Sequence, residues 1–241
     1  TYEGNIPKNN GLFDHNMGSI DAAIFCPVDE KKAELCPGYF GKIDLALPVF
    51  NPHFISITEK VLKCVCFHCS NLLVDKEDPA VLSILKNKKG QTRFKLLYEL
   101  SSKNKKCIHN GGCQALQPMK YTKTKDQINH IRFFSEISQN TFKNSTKASN
   151  IENFSPLVIY QIFKKIKNED IDFMGLSSKY SRPEWMIITS LNVPPPSVRP
   201  SIKQSDNKRS EDDLTYALLM IVKANKQLKN EFKNLCKRKL F

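Results

Sequence analysis

No stretch of eighteen consecutive apolar residues occurs in the chain, so nothing in it reads as a membrane-spanning helix, and no apolar leader segment is present. Glycine is sparse, with 9 in 241 residues. No glycine-rich loop for a phosphate is formed from them, which sets aside P-loop and dinucleotide-binding readings. Histidine is sparser still, at 5. Apart from those lying between cysteines, none stands in relation to a nucleophile, so Ser/His/Asp and Cys/His catalysis are discounted. There is no Asp-x-Asp-x-Asp triplet to hold Mg²⁺; the nearest approach, Asp212-Asp213, reads as the acidic first turn of a helix. Arginine is scarce as well: 6 against 31 lysines, alongside 20 asparagines, a bias of the kind an AT-rich genome produces. The chain begins at Thr1 rather than Met, which suggests a soluble piece of something longer.

What is present is positive charge, cysteine and one unusual proline run. A net charge of +13 and a pI near 9.3 suggest a polyanionic partner, or solubility without one. The length suffices for one large or two small domains. Eight cysteines are present, and their clustering as C-x2-C indicates a reducing compartment and zinc rather than a disulfide framework. Cys66 and Cys69 form one knuckle; Cys107 and Cys113 enclose Gly111 and Gly112, which supply a tight turn. Four thiolates spaced C-x2-C-x37-C-x5-C suit a closed, structural tetrahedral Zn²⁺. Cys64 reads as a core residue, and His68 and His109 could act as ligands only with altered geometry. A second loop carries Cys26, Asp29, Cys36 and Tyr39. Two cysteines hold zinc weakly, Asp29 could add an oxygen, and a phenol is a poor ligand at neutral pH.

Turn residues dominate 1–25. Ile43 to Ile57 is apolar, broken by Pro48 and Pro52, and Lys60 to Cys69 reads as a strand ending in the first cysteine pair. Asp78-Pro79 starts a short helix that stops near Gly90, and another helix covers Thr92 to Ser101. Residues 119–137 suggest a hairpin, and 138–153 a solvated loop. Ser155-Pro156 caps a helix with Val158, Ile159, Ile162, Phe163 and Ile166 on one face. Trp185, with its apolar run, reads as buried, and Pro194 to Pro196 excludes helix or central strand. Ser210-x-x-Asp213 reads as a capping box. Beyond it, Leu214, Ile221, Leu228 and Leu235 alternate with Leu218, Asn225 and Phe232 in a strict 4-3 pattern, which suits a helix packed on the domain's own core or, better given its narrow stripe and Lys-rich flanks, half of a coiled coil.

The motifs "GLFDHNMGSID", "CPGYFGKIDLALPVF", "CVCFHCSNLLVD", "NGGCQALQP", "SRPEWMIITSLNVPPPSVRPSI" and "EDDLTYALLMIVKANKQL" follow one another in an order that resembles the N-terminal clamp region of the largest subunit of multisubunit DNA-directed RNA polymerase, closest to the polymerase II type. The resemblance covers most of Gly11 to Leu228. It implies an α+β, zinc-stabilised clamp core over 1–200, containing a degenerate zinc loop at 24–41, a zinc module at 62–118 and the helix and Trp/Pro-rich segment at 155–200. A lid-like loop at 201–212 and one coiled-coil arm at 213–241 follow. It matches Cys66, Cys69, Cys107 and Cys113 to one clamp zinc. The family's other zinc uses C-x2-C-x6-C-x2-H, where this chain has Asp29 and Tyr39 in place of a Cys and the His. Lys42 and Asn51 also replace histidines usual in the family, as in a divergent polymerase of a large DNA virus or a protist.

From this resemblance the chain is expected to close over the polymerase cleft and retain template DNA and the DNA–RNA hybrid, with Lys203, Lys208 and Arg209 of the lid contacting phosphate. It would be non-catalytic alone, since Mg²⁺ belongs to the complete polymerase. Expected partners are the second-largest and other subunits, and initiation factors at the arm, with no membrane. The expected location is the nucleus, or the virion or host cell for a virus. A stand-alone zinc-ribbon nucleic-acid binder and a coiled-coil scaffold are the competing readings.

Overall fold

The computed structural model describes residues 2–3, 6–19, 24–109, 111–118, 120–125, 131–138, 149–205 and 208–238. Only the backbone is described at 2–3, 6, 120, 122–125, 131–138, 149–153, 203–205, 208–209 and 235–238. Helix and sheet are mixed, and the chain divides into two compact units: Leu47–Ile188, and Thr1–Ala46 together with Thr189–Phe241. Both boundaries fall inside strands, β3 (Gly41–Phe50) and β7 (Ile187–Val193), which pair with each other.

The continuous unit is built on helices. α1 (Ile55–Cys64) occupies part of the segment expected to be a strand. Its buried residues Ile55, Thr58, Val61 and Leu62 recur every three or four positions. That helical period outweighs the β-branched content of "KVLKCVC". α2 (Pro79–Asn87) starts at Asp78, whose carboxylate accepts from the Ala80 N–H at 2.8 Å, with Pro79 filling the first turn where no donor is needed. α3 (Gly90–Ser101) buries Phe94 and Leu97. α4 (Pro156–Lys164) is capped by Ser155 and buries Ile159, Ile162 and Phe163; Val158, expected on that face, is exposed. α5 (Asn168–Phe173) adds Ile171 to the same core. Asp170, nearly buried, is paired with Lys76 at 2.6 Å.

β4 (Lys120–Lys125) and β5 (Ile131–Ser138) form the expected antiparallel hairpin. A third strand, β6 (Ser149–Phe154), pairs with β5 where a solvated loop was expected. Asparagine and serine disfavour strands through their side chains, but strand pairing uses the backbone alone, so composition misjudged this segment. Residues 139–148 of that expected loop lie outside the described residues. Tyr121 and Phe154 anchor the sheet to the helices, their rings edge to face at 5.8 Å. Trp185, expected to be buried, is 57% exposed; Pro183, Glu184 and Met186 of its short 3₁₀ turn are buried instead.

The discontinuous unit begins with a small ribbon, β1 (Tyr2–Glu3) against β2 (Ile6–Pro7). Its core joins Leu12, Phe13 and Met17 to Val193 and Leu218. The triple proline lies beside the Cys36–Gly38 turn. Gly38 has φ +79°, and a Cβ there would stand 2.6 Å from Pro195 Cβ, so only glycine fits. Arg199 is fully buried. Its guanidinium donates to the carbonyls of Pro194 (3.0 Å) and Leu12 and to the Thr215 hydroxyl (3.3 Å), and lies over the Phe13 ring. Three separate chain segments are thus tied to one planar cation.

The expected lid-like loop contains a hairpin, β8 (Ile202–Ser205) with β9 (Lys208–Ser210). α6 (Asp213–Arg238) follows. Asp212, not Ser210, provides its cap, accepting from the Leu214 N–H at 2.8 Å. Thr215 and Leu218 are buried, but Leu214, Ile221, Leu228 and Phe232 of the expected seam are exposed, the last two by 38% and 41%. Asn225 is not a partner-facing seam residue. Its amide accepts from Ala46 N–H (2.6 Å) and donates to the Asp44 carbonyl (2.9 Å), satisfying β3 as another strand would.

Arg199→Lys keeps the charge but loses the planar fork. The expected result is a loss of about 2 kcal/mol in the urea unfolding of the discontinuous unit, read from protection of α6 amides. Unaltered protection would mean that the three-way tie contributes nothing.

Candidate metal centre

Each half of the four-cysteine cluster is a backbone turn before it is a ligand set. After α1, Cys66 N–H donates to the Asn71 carbonyl (2.9 Å), and Ser70 N–H returns to the Cys66 carbonyl (2.9 Å). Ser70 carries the positive φ (62°) that this turn requires, and its hydroxyl donates to the Ile162 carbonyl of α4 at 2.9 Å. The second turn repeats the pattern in wider form: Cys107 N–H to Ala115 carbonyl (3.0 Å), Gln114 N–H to Cys107 carbonyl (2.8 Å), and Gln114 at φ 62°. Gly112 is confined by space. A Cβ there would meet Cys107 Sγ at 2.8 Å.

The two turns bring four sulfurs together. Cys66 Sγ lies 3.6 Å from Cys113 Sγ, Cys69 Sγ lies 3.6 Å from Cys107 Sγ, and all four are within 4.8 Å of one another. Sulfurs bound about 2.3 Å from one central ion would stand about 3.8 Å apart along the edges of a tetrahedron. A disulfide would need about 2.05 Å. The spacing fits an ion shared by four thiolates. Neither His68 nor His109 belongs to the cluster. His109 instead approaches Asp75 at 3.5 Å. Cys64 is a separate core thiol, pushed up to about 12 by burial.

Proton affinities within the cluster diverge. Burial pushes the Cys66 and Cys107 thiols up, against backbone N–H donors that pull them down. Burial also acts to raise Cys69, but hydrogen bonds from the Asn71 N–H and from Cys107 and Cys113 outweigh it and bring the thiol down to about 7. Packed thiols therefore surround a position where one already ionises readily. A cation coordinated there would compensate the charge of the remaining thiolates.

Sequence reasoning missed Gln117. Its buried side chain donates to Cys66 Sγ (3.2 Å) and the Ala115 carbonyl (3.0 Å), and accepts from the Phe67 N–H (3.4 Å). One amide thus joins both turns and supports a ligand sulfur. No spacing rule marks a glutamine before Pro118, so the sequence carries no signal for it. The other expected site residues fall elsewhere. Cys26, Asp29 and Cys36 form a second group with ligand atoms within 4.8 Å. Lys203 and Arg209 are opposite one another in the β8–β9 register, and Lys208 pairs with Ser205; these three are described by backbone only.

A protein-family model described as RNA polymerase Rpb1, domain 1, matches residues 1–241. The chain belongs to that family. It is part of the N-terminal region of the largest subunit of a multisubunit, DNA-directed RNA polymerase, a nucleotidyltransferase whose partners are other polymerase subunits and nucleic acid. Among the described residues no helix is long and apolar enough to cross a membrane. Structural metal in this family accords with the four-sulfur geometry, and each cysteine group could hold an ion.

Gln117→Leu removes the donor to Cys66 and leaves the Phe67 N–H without its acceptor, while the Ala115 carbonyl keeps the bond from Cys107 N–H. Metal release to a chromogenic chelator should become about tenfold faster, with Gln117→Glu at least as fast. Release at the unaltered rate in both variants would assign Gln117 no part in holding the site.

Proposed function

We propose that the chain is a non-catalytic clamp segment of the largest polymerase subunit, closing over the cleft to retain template DNA and the DNA–RNA hybrid. The family match over the whole chain carries this reading. In it, Cys66, Cys69, Cys107 and Cys113 hold one structural Zn²⁺, a closed four-thiolate set that leaves no open position for substrate. Mg²⁺ chemistry belongs to the complete enzyme. Asp212 and Asp213, the nearest pair of carboxylates to a metal motif, serve the start of α6.

In the same reading the β8–β9 hairpin is the lid, and the exposed apolar edge of α6 at Ile221, Leu228 and Phe232 meets another helix as one arm of a coiled coil. Lys203, Lys208 and Arg209 contact phosphate near the upstream end of the hybrid, which calls for charge but not base recognition. Initiation factors dock on the arm. The second-largest subunit is the obligatory partner, and the polymerase works in the nucleus or, for a viral chain, in the virion or host cell.

Two measurements test the proposal. The chain should co-purify with the second-largest subunit; stable, salt-sensitive nucleic-acid binding without it would favour an independent binding module. Replacing Lys203, Lys208 and Arg209 with alanine in the assembled polymerase should shorten the lifetime of transcribing complexes as salt rises, with nucleotide addition per step unchanged. Equal lifetimes for variant and parent would refute the phosphate contacts.

A further inference from the structure

The Cys26 loop has the backbone of a metal knuckle. Cys26 N–H donates to the Lys31 carbonyl (2.9 Å), Glu30 N–H returns to the Cys26 carbonyl (2.8 Å), and Glu30 takes the positive φ (55°). These are the same three features, at the same offsets, as those of the turn at Cys66, Asn71 and Ser70. Asp29 therefore occupies the position of Cys69. It also accepts the equivalent hydrogen bond: Lys31 N–H reaches Asp29 Oδ1 at 3.2 Å, as Asn71 N–H reaches the Cys69 sulfur.

The donors of the two groups differ in what faces the centre. Cys26 is fully buried, and its sulfur, the Cys36 sulfur and an Asp29 oxygen lie within 4.8 Å of one another. The fourth neighbour is Tyr39, whose hydroxyl donates to Asp29 Oδ2 at 3.2 Å. A closed structural zinc site uses cysteine and histidine in sets such as Cys₄ or Cys₃His, with every ligand atom free of its proton. Here a phenol replaces the imidazole, and the carboxylate that would be a ligand is already taken by hydrogen-bond donors.

We infer that the Cys26–Tyr39 loop is a metal-free counterpart of the four-cysteine cluster, closed by protons that two thiols, a phenol and a backbone N–H donate to the Asp29 carboxylate. The direction of proton affinity agrees with the geometry. Burial acts to raise Asp29, yet the hydrogen bonds from Lys31 N–H, Cys26, Cys36 and Tyr39 hold its carboxyl below the ordinary value. Burial, together with the Asp29 charge, pushes the Tyr39 hydroxyl up. It also pushes the Cys36 thiol up, with added effects of Cys26 and Asp29, against the Gly38 N–H. An acceptor at the rim performs the closure that a cation would perform at the centre.

The test is metal content per chain after equilibration with excess zinc and desalting. This inference adds to the zinc assignment at Cys66–Cys113 and fails separately from it. One ion is expected in the parent chain and none in Cys113→Ser. Asp29→Cys combined with Tyr39→His builds a Cys₃His set on the same turn and should raise the ratio by one. Two ions in the parent, one retained in Cys113→Ser, or a folded double variant with no additional ion would each overturn the inference. A parent chain without any metal would remove the zinc assignment and leave this loop as described. Should the double variant not fold, Tyr39→Phe decides: its thermal midpoint should fall by the same amount with and without zinc, and recovery by added zinc would show an ion at Asp29.

Discussion

Four sulfur atoms that cannot all be ionised side by side set the terms for the larger unit. They lie 3.6 Å apart in pairs, with burial raising the proton affinity of two of them. The surrounding residues hold that crowding in place. Ser70 ties one turn to α4, Gln117 links the turns, and Gly112 leaves room for the Cys107 sulfur. The hydrophobic core of α1, α3, α4 and α5 is adequate by itself to bury Val61, Leu97, Ile159 and Phe163. What it does not do is orient two loops that meet 38 residues apart along the chain at Cys69 and Cys107. The hydrogen bonds of the two turns and of Gln117 provide that orientation, and the four sulfurs they gather could share one ion.

Backbone geometry and ligand chemistry are separable in this protein. The knuckle at Cys66 and the turn at Cys26 have matching hydrogen bonds and matching left-handed residues, but only one carries two cysteines in C-x2-C spacing. A turn held by main-chain groups survives replacement of the side chain at its fourth position, provided that the new side chain accepts the exposed N–H. Asp29 does so. The surrounding packing adds contacts of its own. Gly38 is fitted against Pro195, and Arg199 holds the residues following the prolines to Leu12 and to the first turn of α6.

α6 serves two purposes along one length. Its first turns bury Thr215 and Leu218 and bring Leu219 and Val222 against the core of the discontinuous unit. Asn225 and Lys229 then reach the main chain of β3 at Asp44. Of the residues in the 4-3 pattern, Leu218 and Asn225 make these contacts, while Leu214, Ile221, Leu228 and Phe232 are exposed. Periodicity alone joined both sets of residues into a single stripe. The helix divides the stripe by heptad position: Leu218 and Asn225 share one and meet the core and β3, whereas Leu214, Ile221 and Leu228 share the other and are exposed.

Local chemistry was legible in the sequence. Asp78-Pro79 and Ser155-Pro156 mark helix starts because a capping oxygen and a missing N–H act within one turn. The spacing of Cys66, Cys69, Cys107 and Cys113 marks four sulfurs that the fold gathers closely enough to share an ion, and the ordered motifs were enough to identify the family. Tertiary structure decided what depends on distant partners. Trp185 is exposed because its neighbours Glu184 and Met186 turn inward, a choice that composition does not encode. β6 exists because β5 offers it an unpaired backbone edge, whatever its asparagines prefer. The roles of Gln117, Arg199 and Asn225 belong to the same class: each is a polar side chain whose function is to satisfy main-chain or sulfur atoms brought near only by folding. Sequence determines which groups need a partner, and the fold determines which partner they receive.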